Sequence, residues 1–143
     1  MTTERTKTHN PTEISITFGD YPINSGRAEE FCVSEYTEEL YTMVADAEGN
    51  ITRVKSANRS ATVKLKLLRT SDAHQTLTQL YLAASESRNR EDIAPLYIRD
   101  RNGGLVEHGE EAWVSKAPPL AHGKAPGEVE WEFMVAKLIR DVE

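Results

Sequence analysis

The sequence predicts a mainly β protein, an antiparallel β-sandwich or barrel with one flanking α-helix. Two observations support this fold class. Short segments in which apolar and polar residues alternate recur along the chain, as is typical of strands that bury one face. Only one segment carries its apolar residues at helical spacing. The 143 residues suffice for one hydrophobic core, and we expect residues 13–143 to form a single domain.

The N-terminal elements are an arm and two strands. Residues 1–12 are polar and include a proline, which predicts a flexible arm. Residues 13–18 have an apolar residue at every second position and predict the first strand. A second strand is predicted over residues 31–36, with Phe31 and Val33 facing the core.

A hairpin that projects from the body is predicted over residues 41–55. Its strands, 41–45 and 51–55, flank an acidic five-residue loop that contains a glycine. The strands are rich in hydroxyl and charged residues and carry few large apolar groups. We therefore expect the hairpin to bury little against its own core.

The central strand and the only helix come next. Residues 61–69 alternate again, with apolar residues on one face and lysines on the other. A helix is predicted over residues 72–85, where Asp72 and Gln75 have the spacing of a capping box. Its apolar stripe consists of Leu77, Leu80, Tyr81 and Ala84.

The C-terminal part predicts a hairpin, a long loop and a last strand. Residues 93–99 and 105–114 flank Asn102-Gly103-Gly104, which is a strong hairpin signal. Residues 115–127 are rich in proline and glycine, cannot hold a strand ladder and are predicted as a loop. Residues 128–136 predict the last strand, whose acidic face consists of Glu128, Glu130 and Glu132.

Composition and motifs argue against several functional classes. The 17 cationic and 23 anionic residues give a net charge of −6, which argues against a protein that binds the phosphate backbone of nucleic acids. Cys32 is the only cysteine and the four histidines lack metal-ligand spacing, so we expect no metal or cofactor. No apolar run is long enough for a membrane span, and the first residues lack a signal peptide. Nucleotide-binding and nucleophile-elbow motifs are also absent, and we do not expect an enzyme.

The charge is distributed unevenly along the chain. Residues 1–50 carry −7, residues 51–106 carry +5 and residues 107–143 carry −4. Two interpretations stay open: unlike surfaces meet between copies of the chain, or the charges are ordinary solvated surface.

Eight segments carry a family resemblance through their order and spacing. They are Glu13-Ile14-Ser15-Ile16-Thr17-Phe18-Gly19, residues 41–54, Ala57-Asn58-Arg59-Ser60-Ala61-Thr62-Val63, residues 65–71, residues 98–104, Glu111-Ala112-Trp113-Val114, Pro118-Pro119 and Glu130-Trp131-Glu132-Phe133. With these segments the chain resembles the inner tail-tube proteins of contractile-tailed bacteriophages over nearly its whole length. The N-terminal arm departs from the resemblance, because it is longer and more polar.

The resemblance implies a structural virion protein. Such proteins form hexameric rings that stack into a hollow tube inside a contractile sheath, and the six copies share one continuous inner β-barrel. The implied partners are the chain itself and the tail sheath, baseplate and tail-terminator proteins, with no membrane. DNA would pass through the lumen without specific binding. The implied location is the virion tail, after assembly in the host cytoplasm.

Two sets of charged residues are candidates within that role. The first lines the lumen as three acidic rings and consists of Glu128, Glu130 and Glu132. The second contacts neighbouring subunits and consists of Asp46, Glu48, Arg53, Lys55, Lys64, Lys66 and Arg69. For each set the alternative is an exposed face without a partner.

Three other functions remain as alternatives. The same ring architecture occurs in type VI secretion systems and contractile bacteriocins, so these are alternatives to a phage tail as the particle that contains the tube. A β-sandwich module could bind a sugar or peptide through residues 115–127 and the two tryptophans, Trp113 and Trp131. A small β-barrel enzyme would need a clustered set of His, Asp and Glu residues, which the sequence does not display.

Overall fold

The computed structural model describes residues 6–86 and 92–142. It confirms the predicted fold class, because the described chain is mainly β and every strand pairing is antiparallel. The first five residues of the predicted arm lie outside the described residues. In the described part of the arm, residues 6–10 are coil and a short 3-10 helix follows at Pro11–Glu13.

Ten strands and one α-helix make up the described fold. The elements are β1 (Ile14–Phe18), β2 (Tyr21–Pro22), β3 (Arg27–Tyr36), β4 (Tyr41–Ala45), β5 (Ile51–Lys55), β6 (Ala61–Leu68), α1 (Asp72–Glu86), β7 (Ala94–Asp100), β8 (Leu105–Lys116), β9 (Glu128–Val135) and β10 (Ile139–Val142). The main sheet has the strand order β2-β1-β7-β8-β9-β6-β3, with β10 paired to β8. Strands β4 and β5 form a separate two-stranded sheet.

Strand β8 organises the middle of the sheet. Its first half pairs with β7 on one side and β10 on the other, and its second half pairs with β9. Ala112 lies opposite Val135 and His108 lies opposite Ile139, so β9 and β10 follow β8 in the same register. The two strands therefore act as one long strand interrupted after Val135.

The core is built from the alternating strands, as the sequence pattern predicts. In β6 the buried residues occupy every second position, and in β9 they do the same. Phe133 of β9 packs against Phe18 of β1, with ring centroids 5.0 Å apart. The main buried side chains are Ile16, Phe18, Ile23, Val63, Leu65, Leu67, Leu77, Leu96, Trp131, Phe133 and Val135.

Strand β3 corrects the prediction that Phe31 and Val33 both face the core. Phe31 is partly buried against the core, whereas Val33 is 42% exposed, and Cys32 lies opposite the buried Leu65. The cause is a register shift between Arg27 and Cys32, which exchanges the inward and outward faces of the rest of the strand. Alternation within the strand does not reveal such a shift.

The helix also differs from the prediction at its start. The hydroxyl of Ser71 accepts a hydrogen bond from the backbone N–H of His74 at 3.2 Å, so Ser71 is the N-cap and Asp72 is the first helical residue. Only the first part of the apolar stripe is buried, because Leu77 is inaccessible whereas Leu80 is 41% exposed. The helix therefore packs on the sheet through its N-terminal half.

The segment of residues 23–26 connects the two ends of the sheet. It leads from β2, which pairs with β1, to β3, which pairs with β6. Gly26 has φ +69°, and a Cβ there would collide with that of Ser71, so only glycine fits. The guanidinium of Arg27 then donates to the backbone oxygens of Ile14 at 2.6 Å and Pro11 at 3.0 Å. A side chain of β3, at one end of the strand order, thus contacts β1, which is next to the other end.

Candidate assembly surfaces

The outward face of one sheet section carries many of the predicted charged residues. We define the sheet wall as the outward side chains of β6, β9, the last four residues of β8 and the part of β3 that follows its register shift, from Cys32 onward. Its members are Val33, Glu35, Thr62, Lys64, Lys66, Leu68, Trp113, Lys116, Glu128, Glu130, Glu132 and Met134. None of them is buried, whereas the opposite face of the same strands forms the core.

The structure brings the acidic stripe and two of the predicted basic residues together. Lys64 lies opposite Glu132 and Lys66 lies opposite Glu130 across the β6–β9 ladder. The ammonium groups of both lysines are 4.0 Å from the carboxylate oxygens of Glu130. Because the wall carries four glutamates and three lysines, its net charge is −1. Any surface that meets the acidic stripe therefore also meets the lysines.

The section that carries the wall has a free strand edge on each side. Within residues 6–86 and 92–142, β3 pairs only with β6. On the other side, β7 begins at Ala94, which pairs with Ala112, so among the described residues, positions 113–116 of β8 pair with β9 alone. In the described part of the chain, β3-β6-β9-β8 is therefore a four-stranded unit whose two outer edges pair with no further strand, and such edges are a template for pairing with another chain.

The β4–β5 hairpin packs on almost nothing in its own chain. Of its strand residues only Tyr41 is partly buried, and Met43, Val44 and Ile51 are 67%, 58% and 62% exposed. The backbone N–H of Ser56 donates to the oxygen of Leu40 at 2.8 Å and closes the base. The sequence pattern indicated few large apolar groups here, yet the structure exposes several. One hairpin face is uncharged and β-branched, and it consists of Thr42, Val44, Thr52 and Val54.

The charged residues of the hairpin have defined local roles. The carboxylate of Asp46 accepts backbone hydrogen bonds from Glu48 at 3.0 Å and Asn50 at 2.8 Å, and such bonds, those from Asn50 first, lower the pKa of Asp46. Arg53 stacks over the Tyr41 ring at 4.0 Å on the face that also carries Lys55. Asp46 therefore shapes the turn, and Glu48 and Lys55 are exposed.

Arg69 is engaged within its own chain. Its guanidinium donates to the backbone oxygen of Ala121 and lies 2.6 Å from Nδ1 of His122. Its backbone N–H donates to the oxygen of Gly127 at 3.0 Å. Arg69 therefore holds the long loop before β9 against the end of β6.

A polar network that sequence reasoning missed joins β3, β8 and β10. The hydroxyl of Ser34 donates to Glu107 at 2.5 Å, and Arg140 lies 3.5 Å from the same carboxylate oxygen. Arg140 also donates to the backbone oxygen of Ser34 at 3.0 Å. The three residues are far apart in the chain, and no local pattern connects them.

The structure gives little support to a binding pocket built on the tryptophans. Trp131 is 1% exposed and lies in the core, while Trp113 is on the sheet wall. A cavity of about 630 Å³ lies instead between α1 and the β1–β2 turn. Its apolar lining includes Phe18, Tyr21, Leu80, Tyr81 and Val114.

Within the described residues, no group of three or more His, Cys, Asp or Glu side chains is placed to hold a metal ion. The described chain also contains no helix with the length and apolarity of a membrane span.

Comparisons with known proteins agree on one architecture. The chain is similar to the tube-terminating cap of the anti-feeding prophage, with TM-score 0.62, 10% identity and coverage of 100% of this chain and 97% of that chain. It is similar to a chain of the extended sheath–tube complex of PVC, an extracellular contractile injection system, with TM-score 0.60, 14% identity and coverage of 95% and 93%. It is also similar to the sheath/tube terminator of PVC, with TM-score 0.58, 13% identity and coverage of 91% of this chain and 94% of that chain. At these identities the likeness shows the fold.

The sequence itself identifies the family. Among proteins whose functions have been curated, none matches it. The family model of the bacteriophage PhiTE tail tube protein, however, matches residues 13–141. This match spans the main sheet up to Asp141 in β10, the hairpin and the helix. The chain therefore belongs to the bacteriophage PhiTE tail tube protein family, and it is a structural protein of a phage tail tube.

Proposed function

We propose that six copies of this chain close into a ring and that the rings stack into the inner tube of a contractile phage tail, through which the genome is ejected. The observation that carries this proposal is the four-stranded unit with two free edges, β3 and residues 113–116 of β8. Pairing of these two edges between neighbouring copies would satisfy both and join the four-stranded units into one continuous barrel.

The dimensions of such a ring suit a DNA conduit. Six copies of a four-stranded unit contribute about 24 strands, which at about 4.8 Å spacing and about 40° tilt give a circumference of roughly 150 Å. The backbone diameter is then roughly 48 Å. This width leaves room for a duplex after side chains are added. The core face of the unit is covered by its own chain, so the sheet wall is the face that turns to the lumen.

A near-neutral wall favours passage of DNA. In a ring of six, Glu128, Glu130 and Glu132 form three acidic rings, and Lys64 and Lys66 form two basic rings among them. A wall with clustered unpaired cations would release counterions from DNA and hold it. The balanced wall makes few such contacts, and DNA passes without specific binding.

The hairpin supplies the contact between stacked rings. Its exposed apolar side chains bury nothing in the isolated chain, and a neighbouring ring would remove them from water. Residues Asp46, Glu48, Arg53 and Lys55 then lie at the ring interface. The N-terminal arm is a second segment placed to reach a neighbour, because its end is tied to the body through reciprocal hydrogen bonds between Asn10 and Asn102 while residues 6–9 are exposed coil.

The partners follow from the tube. The similar solved chains come from a sheath–tube complex, a sheath/tube terminator and a tube-terminating cap. By analogy this chain contacts a sheath outside the tube, a terminator at one end and a baseplate at the other. The protein is then a virion tail component assembled in the host cytoplasm, and its role is mechanical and not catalytic.

A second candidate function is that of a tube in a particle that carries no genome. The solved chains similar in fold include components of an extracellular contractile injection system, which favours a bacteriocin-like or secretion tube as the alternative. The chain would form the same ring in either case. Purified particles that contain this protein separate the two, because only a phage tail is joined to a DNA-filled capsid.

Negative-stain electron microscopy of the concentrated protein tests the proposal. We expect rings or stacked tubes with an open lumen, formed either alone or after tail initiation proteins are added as a template. A protein that stays monomeric with those initiation proteins present would contradict the tube. Tryptophan fluorescence that then responds to a sugar or peptide would favour the binding module.

A further inference from the structure

We propose that Glu130 keeps the sheet wall from binding DNA by pairing with both Lys64 and Lys66 through one carboxylate. This inference rests on the proposed function, in which the wall lines the lumen. It assigns to a single glutamate a role that the acidic stripe as a whole does not have. Glu128 lies opposite Leu68 and therefore has no cation directly across the ladder.

The geometry places Glu130 between the two lysines. Glu130 lies directly opposite Lys66, and Lys64 is its diagonal neighbour on the same face of β6. One carboxylate oxygen is 4.0 Å from the Lys64 ammonium and the other is 4.0 Å from the Lys66 ammonium. The side chains are 41–48% exposed, so a polyanion that reached the wall would meet these groups directly.

Removal of the carboxylate would free two lysines on this part of the wall and change the net charge of the wall from −1 to 0. Lys66 would lose the anion directly across the β6–β9 ladder, and the anion directly across from Lys64, Glu132, lies opposite Lys116 as well. An exposed ion pair with a carboxylate lowers the affinity of each lysine for a DNA phosphate by up to about five-fold. Two released lysines therefore raise DNA affinity on the order of ten-fold. They also steepen the salt dependence of binding by up to about 2 in the log–log slope.

Fluorescence anisotropy with a labelled duplex of about 20 base pairs tests the inference on unassembled protein, in a salt series that starts at about 50 mM. The Glu130→Gln variant is compared with wild type across that series. The matched control is Glu110→Gln, which removes the same charge from an exposed residue of β8 outside the wall. The triple variant Lys64→Gln/Lys66→Gln/Glu130→Gln tests whether the two lysines bind the duplex. Circular dichroism establishes that each variant is folded.

We expect Glu130→Gln alone to bind the duplex on the order of ten-fold more tightly and with a steeper salt dependence, and we expect the triple variant to lose the gain. An unchanged affinity in Glu130→Gln would overturn the inference. An equal gain in Glu110→Gln would also overturn it, since net charge would then be the cause. If the triple variant kept the gain in affinity, the two lysines would not be its cause, and the inference would again be overturned.

This measurement is independent of tube formation. If tubes form and Glu130→Gln shows no gain, the inference fails while the proposed function stands. If Glu130→Gln gains affinity and no tubes form, the charge relationship holds while the proposed function fails.

Discussion

The indole N–H of Trp131 donates a hydrogen bond to Nδ1 of His74 at 3.1 Å. This bond joins the middle of β9 to the first turn of α1. It requires that Nδ1 of His74 carry no proton, because a protonated ring has no acceptor. The contact therefore makes the packing of helix on sheet sensitive to pH.

We expect the free energy of unfolding to decrease as the pH falls below about 6.5. Burial, and secondarily the charge of Arg69, lower the pKa of His74 in the folded state. The unfolded chain then binds a proton first, so the stabilisation is complete above the unfolded pKa and is lost as the pH falls through the folded one. Urea denaturation across about pH 5 to 8 measures the effect.

The variant that tests this pH dependence is His74→Gln. Glutamine keeps a hydrogen-bond acceptor for the indole N–H and does not titrate. We expect the stability of this variant to lack the histidine contribution to the pH profile. His108→Gln is the control and should retain that contribution. An identical pH profile for wild type and His74→Gln would contradict the prediction.

Arg27 is predicted to hold the two ends of the sheet together. Its guanidinium bonds the backbone oxygens of Ile14 and Pro11 and lies 4.1 Å above the Phe31 ring. Hydrogen bonds from a charged group contribute more than neutral ones, so we expect Arg27→Ala to lose about 2 kcal/mol of unfolding free energy. Urea denaturation measures the loss. Arg101→Ala, at an exposed position, is the control and should change stability by less than about 0.5 kcal/mol. Equal losses in the two variants would show that the bridge is not stabilising.

Cys32 is predicted to be a nearly inert thiol in the folded protein. Burial, and secondarily the charge of Glu107, raise the pKa of Cys32 to about 12. At about pH 8 only about one thiol in ten thousand is then ionised, and the thiolate is the reactive form. We expect reaction with a disulfide reagent to be very slow in native protein and fast in urea. Rapid modification of the native protein at this pH would contradict the assignment.

The hairpin is predicted to serve assembly and not folding. Leu40 and Ser56 are already hydrogen-bonded at its base, so Gly-Gly can replace residues 41–55 without moving the body. We expect this variant to fold with the stability of wild type and to form no tubes. Circular dichroism and electron microscopy measure the two properties. Normal tubes from the shortened protein would show that assembly does not require the hairpin.

A point variant locates the contact on one hairpin face. Val44 belongs to the uncharged β-branched face, and Met43 belongs to the face that carries Arg53 and Lys55. Burial of a new carboxylate is costly, so we expect Val44→Glu to prevent stacking while leaving the fold intact. Met43→Glu is the matched control, because basic residues on its own face can neutralise the added charge. Tubes from Val44→Glu would show that the β-branched face stays in water.

The local pattern of the sequence determined the class of fold and most elements. Period-two alternation in β6 and β9 assigns their buried and outward faces, because successive side chains of a strand point to opposite sides. The turn residues between β4 and β5 likewise predict a hairpin, and the polar composition of its strands predicts that it stands apart from the core. These features depend on neighbours in the chain, so they can be derived without the structure.

Tertiary structure alone decided which of those faces meet. The pairing of β6 with β9 joins residues that are far apart in the chain, and it places Lys64 and Lys66 beside Glu130 when the sequence suggested separate roles for them. The register shift in β3 reversed the predicted face of Val33 for the same reason. Strand order and register are set by the packing of the whole core, and no local alternation encodes them.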